Sequence, residues 1–83
     1  MNVRVYVTPK EGILDPQGAA VERSLPKLGF TGVSGVQIGK IIDLTIDAPG
    51  LTADAAREQV DDMCRRLLAN PIIEDYTFEV SEG

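Results

Sequence analysis

The strongest local signal in this sequence is a helix start at Asp15-Pro16, within the stretch ILDPQGAAVERSLPKLGF. Asp15 can accept hydrogen bonds from the free N–H groups of a first helical turn, and Pro16 suits the first helical position because no N–H is needed there. Apolar residues follow at helical spacing, namely Val21, Leu25 and Leu28. Pro26 interrupts this pattern, since proline removes a backbone hydrogen bond and clashes with the preceding turn. We therefore expect a helix from Pro16 to about Leu28, with a kink or loosened turn around Glu22–Leu25.

Periodicity predicts further elements on both sides of this helix. Alternating apolar and polar residues predict strands at Asn2–Thr8 and Ile72–Val80. A second helix is expected to begin after Thr52 and to end at Asn70-Pro71. Its apolar residues keep helical spacing, namely Ala56, Val60, Met63, Cys64, Leu67 and Leu68.

The region between the helices, Thr31–Asp47, is rich in strand-forming residues, but its alternation changes phase at Gly39-Lys40. A bulge in one long strand and a tight turn between two strands are both consistent with this change. We favour two strands, because Val36–Asp47 is long for a single one. The resulting order, β-α-β-β-α-β, predicts an α+β fold: a two-layer α/β sandwich with a mostly antiparallel sheet and both helices on one face. Residues 1–83 are expected to form a single domain.

The sheet face opposite the helices is neither a typical core nor a typical solvated surface. It would carry Tyr6, Thr8, Gln37, Ile41 and Thr45. Such mixed polarity is typical of subunit interfaces, and a chain of 83 residues buries too little surface to be very stable alone. We expect a homodimer or a higher homo-oligomer that packs through sheet faces or edges.

Composition excludes several classes of function. The net charge of −5 argues against nucleic acid as a partner, because phosphate binding requires clustered Lys and Arg. No apolar run approaches the roughly 20 residues that span a bilayer, and the N-terminus lacks the features of a signal peptide, so we expect a cytoplasmic protein without a membrane partner. The chain has no His and one Cys, which excludes imidazole-based metal sites and His-based acid–base catalysis.

Four groups of residues merit a functional interpretation. The helix start around Asp15 and Gly18 resembles an anion cradle, but the carboxylate would repel an anion, so we favour a simple helix cap. Lys40 is either a ligand-facing or a solvated turn lysine, and the residues do not separate the two. Asp43 and Asp47 share a strand face without any metal motif, so we interpret them as solvated carboxylates. Cys64 lies on an apolar stripe, which favours a buried side chain.

Several motifs together resemble the PurS family, the small subunits of multi-subunit phosphoribosylformylglycinamidine synthase (formylglycinamide ribonucleotide amidotransferase) of purine biosynthesis. The resemblance covers nearly the whole chain. It rests on Gly12-Ile13-Leu14-Asp15-Pro16-Gln17-Gly18, Leu28-Gly29-Phe30, Gly39-Lys40, and Leu67-Leu68-Ala69-Asn70-Pro71 with Ile73-Glu74.

The resemblance implies a subunit without catalytic residues or a bound cofactor of its own. In such a complex the large synthetase subunit would bind ATP, with Mg, and the ribonucleotide, and a glutaminase subunit would release ammonia. The small subunit would bridge the two and support ammonia transfer. The resemblance also assigns candidate partner contacts, namely Asp15, Gln17, Gly39, Lys40 and Asn70.

Three residues depart from the family pattern, and a second function fits the element order. Pro9 replaces a commonly aliphatic residue, Pro26 interrupts a helix that usually lacks proline, and Gln37 stands where an arginine often precedes the glycine–lysine pair. The absence of that arginine weakens any anion-binding role for this strand. The alternative function is a ferredoxin-like regulatory domain that senses a small ligand at a dimer interface.

Overall fold

The structure, a computed structural model, describes residues 1–82. Over this range the regular elements are β1 (Asn2–Pro9), α1 (Pro16–Ser24), β2 (Lys40–Thr45), α2 (Ala53–Met63) and β3 (Glu74–Ser81). The strands form one antiparallel sheet in the order β2-β1-β3. The expected α+β class and antiparallel sheet are confirmed. Neither helix in residues 1–82 combines the length and apolarity needed to cross a bilayer.

The core lies between the central strand β1 and helix α2. The alternation predicted for β1 is confirmed, because Val3, Val5 and Val7 are all buried on the face that α2 covers. On the other side of the core lie Ala56, Val60, Cys64 and Ala69. Helix α2 also reaches β3, where the Tyr76 hydroxyl donates a 2.6 Å hydrogen bond to Asp61 Oδ1. A single helix therefore covers the centre of the sheet and its β3 side.

The C-terminal end of α2 differs from the pattern that the sequence predicts. The helix begins as expected, with Thr52 Oγ1 accepting from the Ala55 N–H at 3.1 Å. After Met63 the chain widens into a π-helical turn, Cys64–Leu68, closed by the Ala69 N–H bonding to the Cys64 carbonyl at 2.9 Å. The wider turn rotates the following side chains, so that Ala69 is only 7% exposed while Leu67 is 83% exposed. The expectation that Leu67 continues the apolar stripe is wrong.

Helix α1 begins where the sequence predicts, but the loosened turn lies at Pro26–Leu28, after the expected position around Glu22–Leu25. Asp15 caps the first turn, and the α-helix ends at Ser24. A 3₁₀ turn, Pro26–Leu28, follows, because Pro26 cannot donate the hydrogen bond that would continue the α-helix. Gly29 then adopts φ 94° and ends the element, as expected for a helix C-terminus.

The position of α1 differs from the expected pair of helices side by side. Helix α1 packs mainly against its own 3₁₀ turn and the segment 31–39, rather than beside α2 on the sheet. The predicted strand before Gly39 is also absent from the sheet, and within the described residues the segment 31–39 is irregular. Gly32 and Gly35 adopt φ values of 81° and 70°, which interrupt any extended run. The sheet strand that follows is the single strand β2.

These differences give the chain an elongated shape. Its extents are 54 × 27 × 14 Å and its radius of gyration is 16.6 Å, whereas a compact chain of this length has a radius of about 12 Å. The accessible surface is 5973 Å², about 1,200 Å² more than the roughly 4,800 Å² of a compact protein of this mass. The part containing α1 thus projects from the sheet layer and leaves much surface uncovered.

Candidate functional site

A cleft of about 150 Å³ lies at the end of the sheet where β1 ends and β2 begins. Three of the five candidate partner contacts, Gln17, Gly39 and Lys40, form part of its wall. The remaining wall residues are Val7, Pro9, Ile38 and Glu74. The cleft thus brings together residues from the first turn of α1, from both strands β1 and β2, and from the start of β3.

Asp15 lies behind this wall, and its carboxylate joins the first turn of α1 to Ile38. Its Oδ1 accepts from the Gly18 N–H at 3.1 Å, and its Oδ2 accepts from the Ile38 N–H at 2.7 Å. Hydrogen bonds from Ile38 and from the first turn of α1 hold the pKa of the Asp15 carboxyl below its usual value. The chain's own carboxylate therefore occupies the N-terminus of α1, which agrees with the helix-cap interpretation rather than with an anion cradle.

A second carboxylate holds the segment 31–39 against α1. Glu22 Oε1 accepts from the Val36 N–H at 3.0 Å, and Glu22 lies about two helical turns after Asp15. Gly18 lies between these two contacts, and a Cβ atom there would overlap the Val36 carbonyl oxygen. The close approach of the segment to the helix therefore depends on glycine at this position. Residues 15–38 form one connected unit for this reason.

Gly39 and Lys40 place this unit against the sheet. A Cβ atom on Gly39 would lie 2.5 Å from the carbonyl oxygen of Val7, so only glycine permits this approach. Lys40 is the first residue of β2 and pairs with Val7 of β1. Its side chain is exposed at the cleft, and within residues 1–82 it forms no ion pair. The chain turns into β2 at Gly39 without a preceding hairpin strand.

Asn70 reaches the cleft through Glu74. Asn70 Oδ1 accepts from the Ile72 N–H at 3.1 Å, and the Asn70 N–H donates to Glu74 Oε1 at 2.7 Å. The same turn ends the helix, as the sequence predicts. All five candidate residues therefore lie around one cleft at the end of the sheet, three in the cleft wall and two bonded directly to wall residues. Sequence reasoning assigned no role to Glu22 or to Glu74, although Glu74 lies in a family motif, because both act through long-range or turn geometry.

Asp43 and Cys64, which the sequence analysis also considered, have structural roles. Arg4 on β1 binds Asp43 on β2 through two hydrogen bonds of 2.8 and 3.1 Å on the exposed sheet face, and this contact lowers the pKa of Asp43. Cys64 is buried, and desolvation and then Asp61 raise the pKa of its thiol. Within residues 1–82, no group of three or more Cys, Asp or Glu is arranged to hold a metal ion. These contacts support the interpretations of Asp43 and Cys64 made from the sequence.

Comparisons with known sequences and with known structures all point to the same family. A profile described as PurS, phosphoribosylformylglycinamidine (FGAM) synthase, matches residues 2–82. The chain belongs to the PurS family. The PurS subunit of Synechocystis phosphoribosylformylglycinamidine synthase is 50% identical over 78 residues, covering 94% of this chain and 76% of that protein.

Solved structures agree with this family assignment. Bacillus subtilis PurS superposes with a TM-score of 0.82 at 46% identity and covers 98% of each chain. A chain in a structure of PurLQS from Thermotoga maritima superposes with a TM-score of 0.80 at 29% identity, covering 94% of this chain and 93% of that one. The irregular segment and the projecting α1 therefore belong to a chain whose overall fold matches solved PurS structures.

Proposed function

We propose that this chain is the small, non-catalytic subunit of a phosphoribosylformylglycinamidine synthase complex in purine biosynthesis. It bridges the large ATP-dependent synthetase subunit and the glutaminase subunit in the cytoplasm and supports ammonia transfer between them. The observation that carries this proposal is the PurS match over residues 2–82. The Thermotoga maritima PurLQS structure, in which a PurS-like chain occurs, supports the assembly with larger subunits.

The chemistry of the chain is consistent with a bridging role. The cleft of about 150 Å³ is smaller than the roughly 300–1,000 Å³ of typical small-molecule sites. A lysine and an amide at its rim are suited to polar contacts with a protein surface. We therefore infer that Gln17, Gly39, Lys40, Asp15 and Asn70 form or support a partner contact rather than a sensor site, and that the subunit binds no cofactor of its own.

We also propose that the subunit works as a homodimer or a higher homo-oligomer. The chain exposes about 1,200 Å² more surface than a compact protein of its mass. A standard protein–protein interface covers about 800 Å² per partner. Contact with a second copy would therefore bury an area comparable to this excess surface. The exposed apolar residues of the α1 region supply suitable surface.

The bridging role is tested by reconstitution with the two larger subunits. We expect glutamine-dependent synthesis to require this chain, whereas synthesis from free ammonia largely persists without it. The isolated chain is expected to show neither glutaminase nor ATPase activity. Glutamine-dependent turnover that is unchanged by adding the chain would contradict the bridging role, and saturable heat on titration with glutamine or purine nucleotides would favour the sensor.

The partner contact at the cleft is tested by Lys40→Glu in the same reconstitution. Reversing this exposed charge should weaken assembly and glutamine-dependent turnover while leaving the fold intact, because Lys40 forms no ion pair within the described residues. Lys27→Glu, an exposed lysine in the 3₁₀ turn, is the matched control. Equal effects of the two substitutions would indicate a general charge effect and contradict a specific contact at the cleft.

A further inference from the structure

The three most exposed large apolar side chains of residues 1–82 lie outside both the sheet and α1. Leu67 is 83% exposed, and Leu14 and Ile72 are each 82% exposed. Leu67 belongs to the π-helical turn, Leu14 to the loop before α1, and Ile72 to the turn before β3. Apolar side chains gathered on a surface mark protein contacts more often than scattered ones do. We call these three residues the apolar ridge.

The loop before α1 and the turn before β3 lie side by side at the cleft. The Lys10 N–H donates to the Ile73 carbonyl at 2.9 Å, and the Ile13 N–H donates to the Lys10 carbonyl at 3.2 Å. The loop continues into Asp15, which bonds to the cleft wall, and the turn continues into Glu74, which forms part of it. The ridge residues of these two segments therefore border the cleft.

The π-helical turn brings Leu67 to the same region. Leu67 lies three residues before Asn70, so its backbone is within about 11 Å of the Asn70 backbone, which bonds to Glu74. In a regular helix Leu67 would continue the apolar stripe, where burial would stabilise the isolated chain. π-helical turns are rare and are frequent at functional sites. Exposure of Leu67 thus leaves apolar surface that contact with another protein would bury.

Lys40 adds an uncompensated positive charge to the cleft. Its side chain is exposed, and within residues 1–82 it forms no ion pair. Lys10, by contrast, is paired with Asp75 at 2.6 Å. Glu74 in the cleft wall accepts from the Asn70 N–H rather than pairing with Lys40. A carboxylate on a partner is the group that would complement this lysine.

We propose that the apolar ridge and Lys40 together form the docking surface for a larger subunit of the synthase complex. The partner places apolar side chains on the ridge and a carboxylate against Lys40. This inference rests on the bridging function proposed above and specifies the chemistry of the surface that the chain recognises. Apolar contacts supply the buried centre of such an interface, and the ion pair fixes its orientation.

The ridge is tested by Leu67→Ser/Ile72→Ser in the reconstitution with both larger subunits. Both side chains are exposed, so the fold should be retained. Titration of the chain, monitored by glutamine-dependent turnover, should give an apparent dissociation constant raised at least about tenfold. Turnover at saturating concentrations of the variant should equal that of wild type. An unchanged dissociation constant would overturn the proposal.

Ile41→Ser is the matched control for the ridge. Ile41 is apolar and 58% exposed, but it pairs with Tyr6 on the sheet face opposite α2. The substitution should leave the apparent dissociation constant unchanged. Weakening equal to that of the ridge variant would show a general effect of lost apolar surface and would overturn the assigned location.

The partner carboxylate is tested by Lys40→Met, which removes the charge but keeps an unbranched side chain. The apparent dissociation constant should rise, and its dependence on salt between roughly 0.05 and 0.5 M should become shallower, because one screened ion pair is lost. The ridge variant should keep the salt dependence of wild type, and so should Lys27→Met. A Lys40→Met chain with the salt dependence of wild type would overturn the ion pair.

Light scattering on the isolated chain separates this surface from contacts between copies. The ridge variant should have the same oligomeric state as wild type. Dissociation of copies by Leu67→Ser/Ile72→Ser would show that the ridge joins copies of this chain, and would overturn the proposal. A wild-type chain that does not support glutamine-dependent turnover would instead refute the bridging function itself, so the two failures are distinguishable.

Discussion

Two glycine residues allow irregular backbone to lie directly against regular elements. At Gly18 the segment 31–39 crosses the first turn of α1, and at Gly39 it meets the carbonyl of Val7 on β1. Neither glycine has a positive φ, so space rather than backbone conformation is the constraint. The candidate site depends on both close approaches, because they bring Gln17 and Lys40 to the same cleft.

Gly18→Ala is expected to destabilise the chain. Alanine favours the helix by up to about 1 kcal/mol, but its Cβ would overlap the Val36 carbonyl oxygen and the Asp15 carboxylate. Such overpacking costs about 1–3 kcal/mol, so the free energy of unfolding in urea should fall. Gln17→Ala, in the same turn but exposed, should change it by no more than about 0.5 kcal/mol. A stabilised Gly18→Ala chain would show that the segment does not cross the helix there.

The Asp15 carboxylate gives the stability of the chain an acid-sensitive component. Its folded-state pKa lies below the usual value because of hydrogen bonds from Ile38, Gly18 and Gln17. Its contribution is therefore complete above the unfolded-state pKa, about 3.9, and is lost as the pH falls through the lower folded-state pKa.

Asp15→Asn should lower the melting temperature at pH 7, because the amide cannot accept both N–H groups. The difference from wild type should shrink once the pH falls below the folded-state pKa of Asp15. Thermal melts monitored by circular dichroism from neutral to acidic pH check this expectation. Asp47→Asn, at an exposed residue after β2, controls for the loss of one negative charge. A difference from wild type that is constant with pH would contradict this role of the carboxylate.

At the scale of elements, the π-helical turn Cys64–Leu68 decides which side chains face the core. In a regular α-helix, Leu67 and Leu68 would both follow Cys64 on the apolar stripe. The wider turn instead buries Ala69 and turns Leu67 outward, while Leu68 still packs against the core cluster. The turn also positions Asn70 to begin the tight turn that contacts Glu74.

Alanine substitutions at these two leucines should therefore differ. Leu67→Ala should change the free energy of unfolding by no more than about 0.5 kcal/mol, whereas Leu68→Ala should lower it by about 1–2 kcal/mol, since it removes part of a half-buried side chain. Both substitutions replace the same residue type in the same turn, so helix propensity does not distinguish them. Equal losses in urea unfolding would indicate a continuous α-helix.

At the scale of the whole molecule, the chain is more extended than a compact domain of its length. Its radius of gyration of 16.6 Å exceeds the value of about 12 Å for a compact chain of this length. One helix covers the inner face of a three-stranded sheet within residues 1–82, and residues 16–38 extend beyond it. The self-association proposed above would supply the burial that a compact single chain achieves internally.

The melting temperature should consequently rise with protein concentration. For a dimer that unfolds to separate chains, each tenfold increase adds about 1.4 kcal/mol per dimer by mass action, or about 3–5 °C for a structure of this size. Differential scanning fluorimetry across a hundredfold range of concentration checks this expectation. A melting temperature independent of concentration would show that the chain unfolds as a monomer.

The sequence by itself determined the local elements and the class of fold. Asp15-Pro16, Thr52 and Gly29 set helix ends, and alternation fixed β1 and β3, because capping and periodicity act over a few residues. The same reasoning predicted that Pro26 loosens the helix, but it placed the loosened turn around Glu22–Leu25, one turn before its position at Pro26–Leu28. The five candidate residues were named from motifs of the family rather than from periodicity.

Only the tertiary structure decided which of these elements meet. The segment 31–39 has strand-like composition, yet its hydrogen bonds go to the carboxylates of Asp15 and Glu22 instead of a sheet edge. The register change at Cys64–Leu68 and the projection of α1 likewise depend on contacts between distant residues. Local patterns cannot specify such choices, because their energies come from close backbone approach and long-range packing rather than from the preference of any single residue.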